Sequence, residues 1–373
     1  MTALQRNRHL LQVPLYIAGK SAEEVRRELG LTDVIKLASN ENPLGPSPRA
    51  MEALARALSE AHRYPGLAEA ELRQRLAAHH DSGLTHDHFL IGNGATDILR
   101  ILAQSLIFDG GETVFPRVSF PLYGLLTKMY GGKPVPVEPL PGLGIDLEAM
   151  LEAVTGDTRL VWLCSPNNPT GLALEHSSVE AFLDELPEHV AVAIDESYVE
   201  FVADASVIDS LAFVRAGRPV IAVRSFSKSA GLANLRVGYA VARPDVIEYL
   251  LHAVLPFNTG APVMRAAMAS LEDHDFHRRS RALVAQERAY LTRELAAVGL
   301  APLPSQANFL LVPDVPNCEA VVQGLLRRGV IVRPMGPFGV PNGFRVSLGL
   351  RQDNTCFLAA LSEVLGETQS GKG

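Results

Sequence analysis

The run Arg224–Arg236, RSFSKSAGLANLR, sets one amine, Lys228, among small and hydroxyl residues and ends on a guanidinium, Arg236. It follows the apolar stretch PVIAV (219–223), so the lysine lies just past a predicted strand. A lysine at a strand end within a buried site can lose proton affinity and attack aldehydes. Ser225, Ser227 and Arg236 can hold a phosphate through charge-assisted hydrogen bonds. Asp195 closes another apolar run, HVAVAIDE, where a carboxylate is costly unless paired. SPNNPTG (165–171) follows the apolar run TRLVWLCSP and carries Asn168. GNGATD (92–97) lies between an apolar run and a helical pattern. Its glycines let backbone N–H groups approach an anion at a helix N-terminus.

Singly, each segment has an ordinary explanation: a tight turn, a helix cap, a surface ion pair or a surface lysine. Together they gather an amine, a carboxylate, an amide and an anion cradle at neighbouring strand ends. One ligand uses all four. Pyridoxal 5′-phosphate has an aldehyde for the amine, a basic ring nitrogen for the carboxylate, a ring hydroxyl and a phosphate.

Positioning these groups requires parallel strands. HFLIGNG, ETVFP, KPVPVE, TRLVWLCSP, HVAVAIDE and PVIAVRSFS alternate with helical patterns, which predicts an α/β fold with a mainly parallel sheet. Ligands of such sheets gather at the carboxyl ends of the strands. Beyond Arg243 the pattern becomes a long helical stretch over 263–298, broken near EDHDF, then NFLLVP, GVIVRP, GFRVSLG and a terminal helix. That reads as a smaller α+β domain. The expected division is a large cofactor-binding domain over 46–256 and a small domain formed by 1–45 and 257–373.

Composition narrows the class. The chain has 373 residues, 47% hydrophobic and 20% charged, an ordinary globular balance. Its net charge is −7 and no basic block stands out, so nucleic acid is not an expected partner. No uncharged apolar run reaches the roughly 18 residues of a membrane span. MTALQRNRHLLQV has too short an apolar run for a signal peptide. Cys164, Cys318 and Cys356 are widely spaced, which fits a reducing, cytoplasmic compartment and neither a disulfide framework nor a zinc site. HDH (86–88) and HDFH (274–277) read as polar turns, and no metal site is expected. The third glycine and the acidic residue of a dinucleotide fingerprint are not cleanly present, which counts against a nicotinamide oxidoreductase.

The ordered set SNENP, RYPG, GNGATD, SPNNPTG, DESY, SFSK…LR and FRVSLG resembles the class I/II aminotransferases of fold type I, most closely the histidinol-phosphate aminotransferases. The resemblance runs from Tyr16 to the last helix. It implies that Lys228 forms the covalent link to pyridoxal phosphate and that Asp195 faces the ring nitrogen. Asn168 and Tyr198 would bond the ring hydroxyl, and Phe120 would stack on the ring. Ala95, Thr96, Ser225, Ser227 and Arg236 would hold the phosphate. Tyr64 would reach the cofactor of a second subunit in a homodimer with shared sites. Tyr16, Asn40, Arg333 and Arg345 would surround the substrate. The implied reaction is ping-pong amino transfer between L-histidinol phosphate and 2-oxoglutarate. An aromatic amino-acid aminotransferase or a phosphothreonine decarboxylase would share the cofactor motifs, and a non-catalytic effector-binding module could share the fold. The chain departs from the family at Asn234, where glycine is usual, at Ser197, where alanine is usual, and at Thr96. Asn234 is expected to tolerate a left-handed turn.

Overall fold

The structure is a computed structural model and describes residues 4–15, 19–80 and 83–369. α1 (Ala22–Leu29), β1 (Ile35–Lys36), α2 (Pro48–Ala57) and α3 (Ala68–His80) lead into β2 (Phe89–Gly92). Helices and strands then alternate: α4 (Ala95–Leu106), β3 (Glu112–Pro116), α5 (Leu122–Met129), β4 (Lys133–Val137), α6 (Leu147–Glu152), β5 (Thr158–Cys164), α7 (His176–Glu185), β6 (Ala191–Asp195), α8 (Ser210–Arg215) and β7 (Val220–Ser225). β8 (Gly238–Val241), α9 (Pro244–Leu251), α10 (Ala261–Leu271) and α11 (His274–Ala297) follow. The chain continues through β9 (Phe309–Val312), α12 (Cys318–Arg327), β10 (Val330–Ile331), β11 (Arg333–Pro334), β12 (Phe344–Ser347) and α13 (Arg351–Gln369).

Seven strands form one sheet in the order β2-β8-β7-β6-β5-β3-β4. The five from β7 to β4 are parallel, and β8 runs antiparallel to both its neighbours. Side chains alternate across a strand. Val161, Leu163, Val192, Ile194, Val220 and Ala222 therefore enter the core on one face. Leu160, Trp162, Ala193, Ile221 and Val223 enter the core on the other. Burial on both faces is why these strands read as continuous apolar runs. It also leaves the ends of the strands as the places that carry polar groups.

A second sheet, β11-β12-β9, packs with α11, α12 and α13 around Phe309, Phe344, Phe357 and Leu291. β1 pairs in parallel with β10, which ties the N-terminal segment to this region. α10 lies beyond the boundary expected at 256, yet its Met264, Ala267 and Leu271 join the first core, against α2 and α3. The break expected near EDHDF falls between α10 and α11.

Candidate active site

A cavity of about 370 Å³ opens at the carboxyl ends of β5, β6 and β7. Asn40, Ala95, Thr96, Phe120, Asn168, Asp195, Tyr198, Ser225, Ser227, Lys228, Arg236, Arg333 and Arg345 all line it. These thirteen of the fifteen expected residues come together from eight separate segments of the chain.

Asp195 is the last residue of β6, on the face that carries Ala193, and is buried. Burial pushes its carboxyl pKa up; hydrogen bonds from Ser197 and Tyr123 and the charge of Lys228 oppose this. It takes no part as a helix cap. Lys228 is half-buried, and its Nζ donates to the Ser39 carbonyl at 3.2 Å. The amine also lies 5.7 Å from the centre of the Tyr198 ring. Desolvation first, and then the Arg345 guanidinium, push its pKa down to about 8. Tyr198 accepts a hydrogen bond from Asn40 Nδ2 at 3.0 Å, and burial pushes its phenol up to about 12.

Asn40 has φ +54°, unusual for any residue but glycine. Its groups are tied down on every side. Its N–H donates to Ser347 Oγ at 2.8 Å, and its carbonyl accepts from Asn308 Nδ2 at 3.0 Å. Its Oδ1 accepts from Ser347 Oγ at 2.9 Å. Asn168 Oδ1 accepts from Arg345 Nη1. Arg345 Nη2 donates to the Ala38 carbonyl at 3.0 Å. Arg333 and Arg345 are direct partners in the antiparallel register of β11 and β12. Two like charges placed opposite each other are unfavourable unless an anion lies between them.

A corner kept clear of side chains lies where α4 starts. The first N–H groups of a helix have no partner within it. Gly94 precedes them, and a side chain there would collide with the Arg236 guanidinium. At Gly238, a Cβ would lie 2.6 Å from Ala95 N. Both glycines keep this corner open beside Ser225 and Ser227, which are buried. Arg236 Nη1 donates to the Ala233 carbonyl at 2.9 Å and approaches Ser227 Oγ at 3.4 Å. Asn234 sits exposed in a 3-10 turn over Ala233–Leu235 and does not take the left-handed backbone expected of it. That conformation belongs to Arg236, at φ +54°. The turn therefore tolerates asparagine without using its special backbone freedom.

Two expected residues stand apart. Tyr64 is 77% exposed, stacks on Phe257 at 4.3 Å and does not line this chain's own cavity. Tyr16 lies outside the described residues. His274 and His277 form the first turn of α11, and His277 bonds the Ser270 carbonyl, so HDFH is helix and not loop. Among the described residues, no group of three His, Cys, Asp or Glu could hold a metal ion. The sequence reading missed Ser39, Tyr123 and the bonding role of Ser197. Only Ser197 carried a signal, as a departure within DESY.

An amine, a carboxylate, an open corner at a helix start and a cross-strand pair of arginines thus meet around the carboxyl ends of a mainly parallel sheet. The chain belongs to the aminotransferase class I and II family, which it matches over residues 32–361. The histidinol-phosphate aminotransferase of Symbiobacterium thermophilum is 42% identical over 94% of this chain and 96% of its own length. Histidinol-phosphate aminotransferase 1 of Nitrosococcus oceani is 42% identical over 94% of each chain. A crystal structure of histidinol-phosphate aminotransferase from Sinorhizobium meliloti in complex with pyridoxal-5'-phosphate superposes with a TM-score of 0.89. It shares 28% identity, over 98% of this chain and 99% of that one.

Proposed function

We propose that this chain is a transaminase using pyridoxal 5′-phosphate to exchange the amino group between L-histidinol phosphate and 2-oxoglutarate. The carrying observation is the cross-strand pair Arg333 and Arg345, set in the same cavity as Lys228 and Asp195. Relatives near 40% identity over almost the whole chain are named histidinol-phosphate aminotransferases. The open corner at Gly94 and Gly238 and the acceptor Asp195 suit the cofactor's phosphate and ring nitrogen. When bound, the cofactor supplies an aldehyde for the amino group and a ring that withdraws electrons from the reacting carbon.

The chain's residues do the rest. Lys228 anchors the cofactor in the resting enzyme. With the cofactor bound, the Lys228 Nζ would be the base that takes the substrate's α-proton and the acid that gives it back. A pKa near 8 leaves a usable fraction of neutral amine near neutral pH. Asp195 holds a proton at the ring nitrogen. Asn168 and Tyr198 orient the ring hydroxyl, and Phe120 covers the ring. Ala95, Thr96, Ser225, Ser227 and Arg236 hold the phosphate. Arg345, Arg333, Asn40 and Tyr16 bind the substrate, the two guanidiniums taking its phosphate or the carboxylates of 2-oxoglutarate.

The exposed Tyr64 fits a homodimer in which each subunit completes the other's site. The cofactor-binding domain runs on through α10, and the small domain follows within α11. We place the enzyme in the cytoplasm: its cysteines are free. Among the described residues no helix is long and apolar enough to cross a membrane. Side-by-side kinetics test the substrate. A kcat/KM for histidinol phosphate above that for phenylalanine is expected, and the reverse order would make the chain an aromatic aminotransferase.

A further inference from the structure

Asp195 is 5% exposed, and burial at that depth without partners would neutralise a carboxylate. Two residues outside the set above oppose it. Ser197 donates twice to Oδ1, from its N–H at 3.1 Å and its Oγ at 2.7 Å. Tyr123 donates to Oδ2 at 3.1 Å. An ionised carboxylate offers about four acceptor positions. These donors fill three, which leaves about one for a ligand in the cavity that Asp195 lines. Tyr123 is itself held firmly, fully buried on α5 and stacked on Trp162 at 5.3 Å.

We propose that Ser197 and Tyr123 are positioning residues that clamp Asp195 as an oriented anion, with one acceptor site kept for the cofactor's ring nitrogen. The proposal rests on the cofactor reading above. Donors to both oxygens favour the ionised carboxylate over the protonated acid, which has fewer acceptor sites. Against a basic ring nitrogen they favour the ion pair over the neutral pair, and so keep the proton on the ligand side. The other titratable groups near Asp195 are Cys164 at the end of β5, Tyr198 and Lys228. Burial pushes the thiol and both phenols up, so Lys228 is the one neighbouring charge among them. The alanine usual at position 197 would keep the N–H donor and lose the Oγ donor.

The test compares S197A, S197T and Y123F with the wild-type chain, without cofactor and then loaded with pyridoxal 5′-phosphate. In the cofactor-free chain the Asp195 carboxyl carbon, assigned by its loss in D195N, is followed by NMR against pH. Its titration should move upward in S197A and Y123F and return in S197T. In the loaded enzyme S197A should lower kcat about tenfold, the effect of losing one hydrogen bond to a charged group. KM should change by less than about twofold, since Ser197 bonds Asp195 rather than the substrate. An Asp195 titration unchanged in both S197A and Y123F overturns the clamp, as does a kcat loss that S197T does not recover. D195N separates the two layers. If it binds cofactor and turns over at the wild-type rate, the cofactor reading fails; if it is impaired while S197A is not, only the clamp fails.

Discussion

The two walls of the cavity are built on different principles. One consists of the ends of β5, β6 and β7, whose side chains feed two cores alternately. Asp195, Ser225 and Ser227 on that wall are buried, and each is bonded to a residue two positions away in sequence. The facing wall rests on short strands, two residues in β11 and four in β12. It carries Arg345, which is buried, and Arg333, which is half-buried beside Gly19. On the function proposed above, the groups that would hold a constant geometry through the reaction sit on the doubly buried sheet, and those that would accept two different anions sit on the lighter one.

Breaking the sheet wall should cost most. K228A should reduce kcat by at least about 10⁴-fold, because it removes both the anchor and the proton carrier. Steady-state turnover with saturating amine measures this. D195A should reduce kcat by about 10² to 10³-fold, the scale of losing one preorganised electrostatic partner. On the facing wall, R345A should lower kcat/KM about 100-fold for both substrates, as expected when a buried charge loses its partner. R333A sharpens the contrast. It should lower kcat/KM about tenfold for histidinol phosphate, one charge-assisted contact, and leave phenylalanine nearly unaffected.

The smallest effect concerns stability. The Lys228 amine titrates near 8 in the folded chain against an ordinary value of 10.5. The unfolded chain therefore binds more protons between about pH 8 and pH 10.5, and the cofactor-free protein should gain stability as pH rises through that window. Urea unfolding of wild type and K228M should show this rise in the first and a flatter profile in the second.

The sheet wall was legible in the sequence because strands buried on both faces are unbroken apolar runs, and their polar ends stand out against them. β8 was not. Its four residues, GYAV, are a short run after the long loop that carries Lys228 and run antiparallel at the edge of the parallel set. The membership of α10 was also hidden, since a helical pattern does not say which core its apolar face meets. Tyr123 reads as one more apolar position of a helix, and only the fold brings its hydroxyl to a carboxylate on β6. Asn234 misled for a related reason. The left-handed residue lies two positions further on, at Arg236, where side-chain chemistry gives no hint of it.

The central claim is that Lys228 carries the cofactor in this cavity. Pyridoxal 5′-phosphate is added to the full chain, the visible absorbance is recorded, and borohydride is then used to fix any linkage before peptide mapping by mass spectrometry. The account predicts an absorbance band that borohydride abolishes and a pyridoxyl group on Lys228, with K228A giving neither. A chain that shows no band when saturated with cofactor, or that carries the label on another lysine, would contradict it.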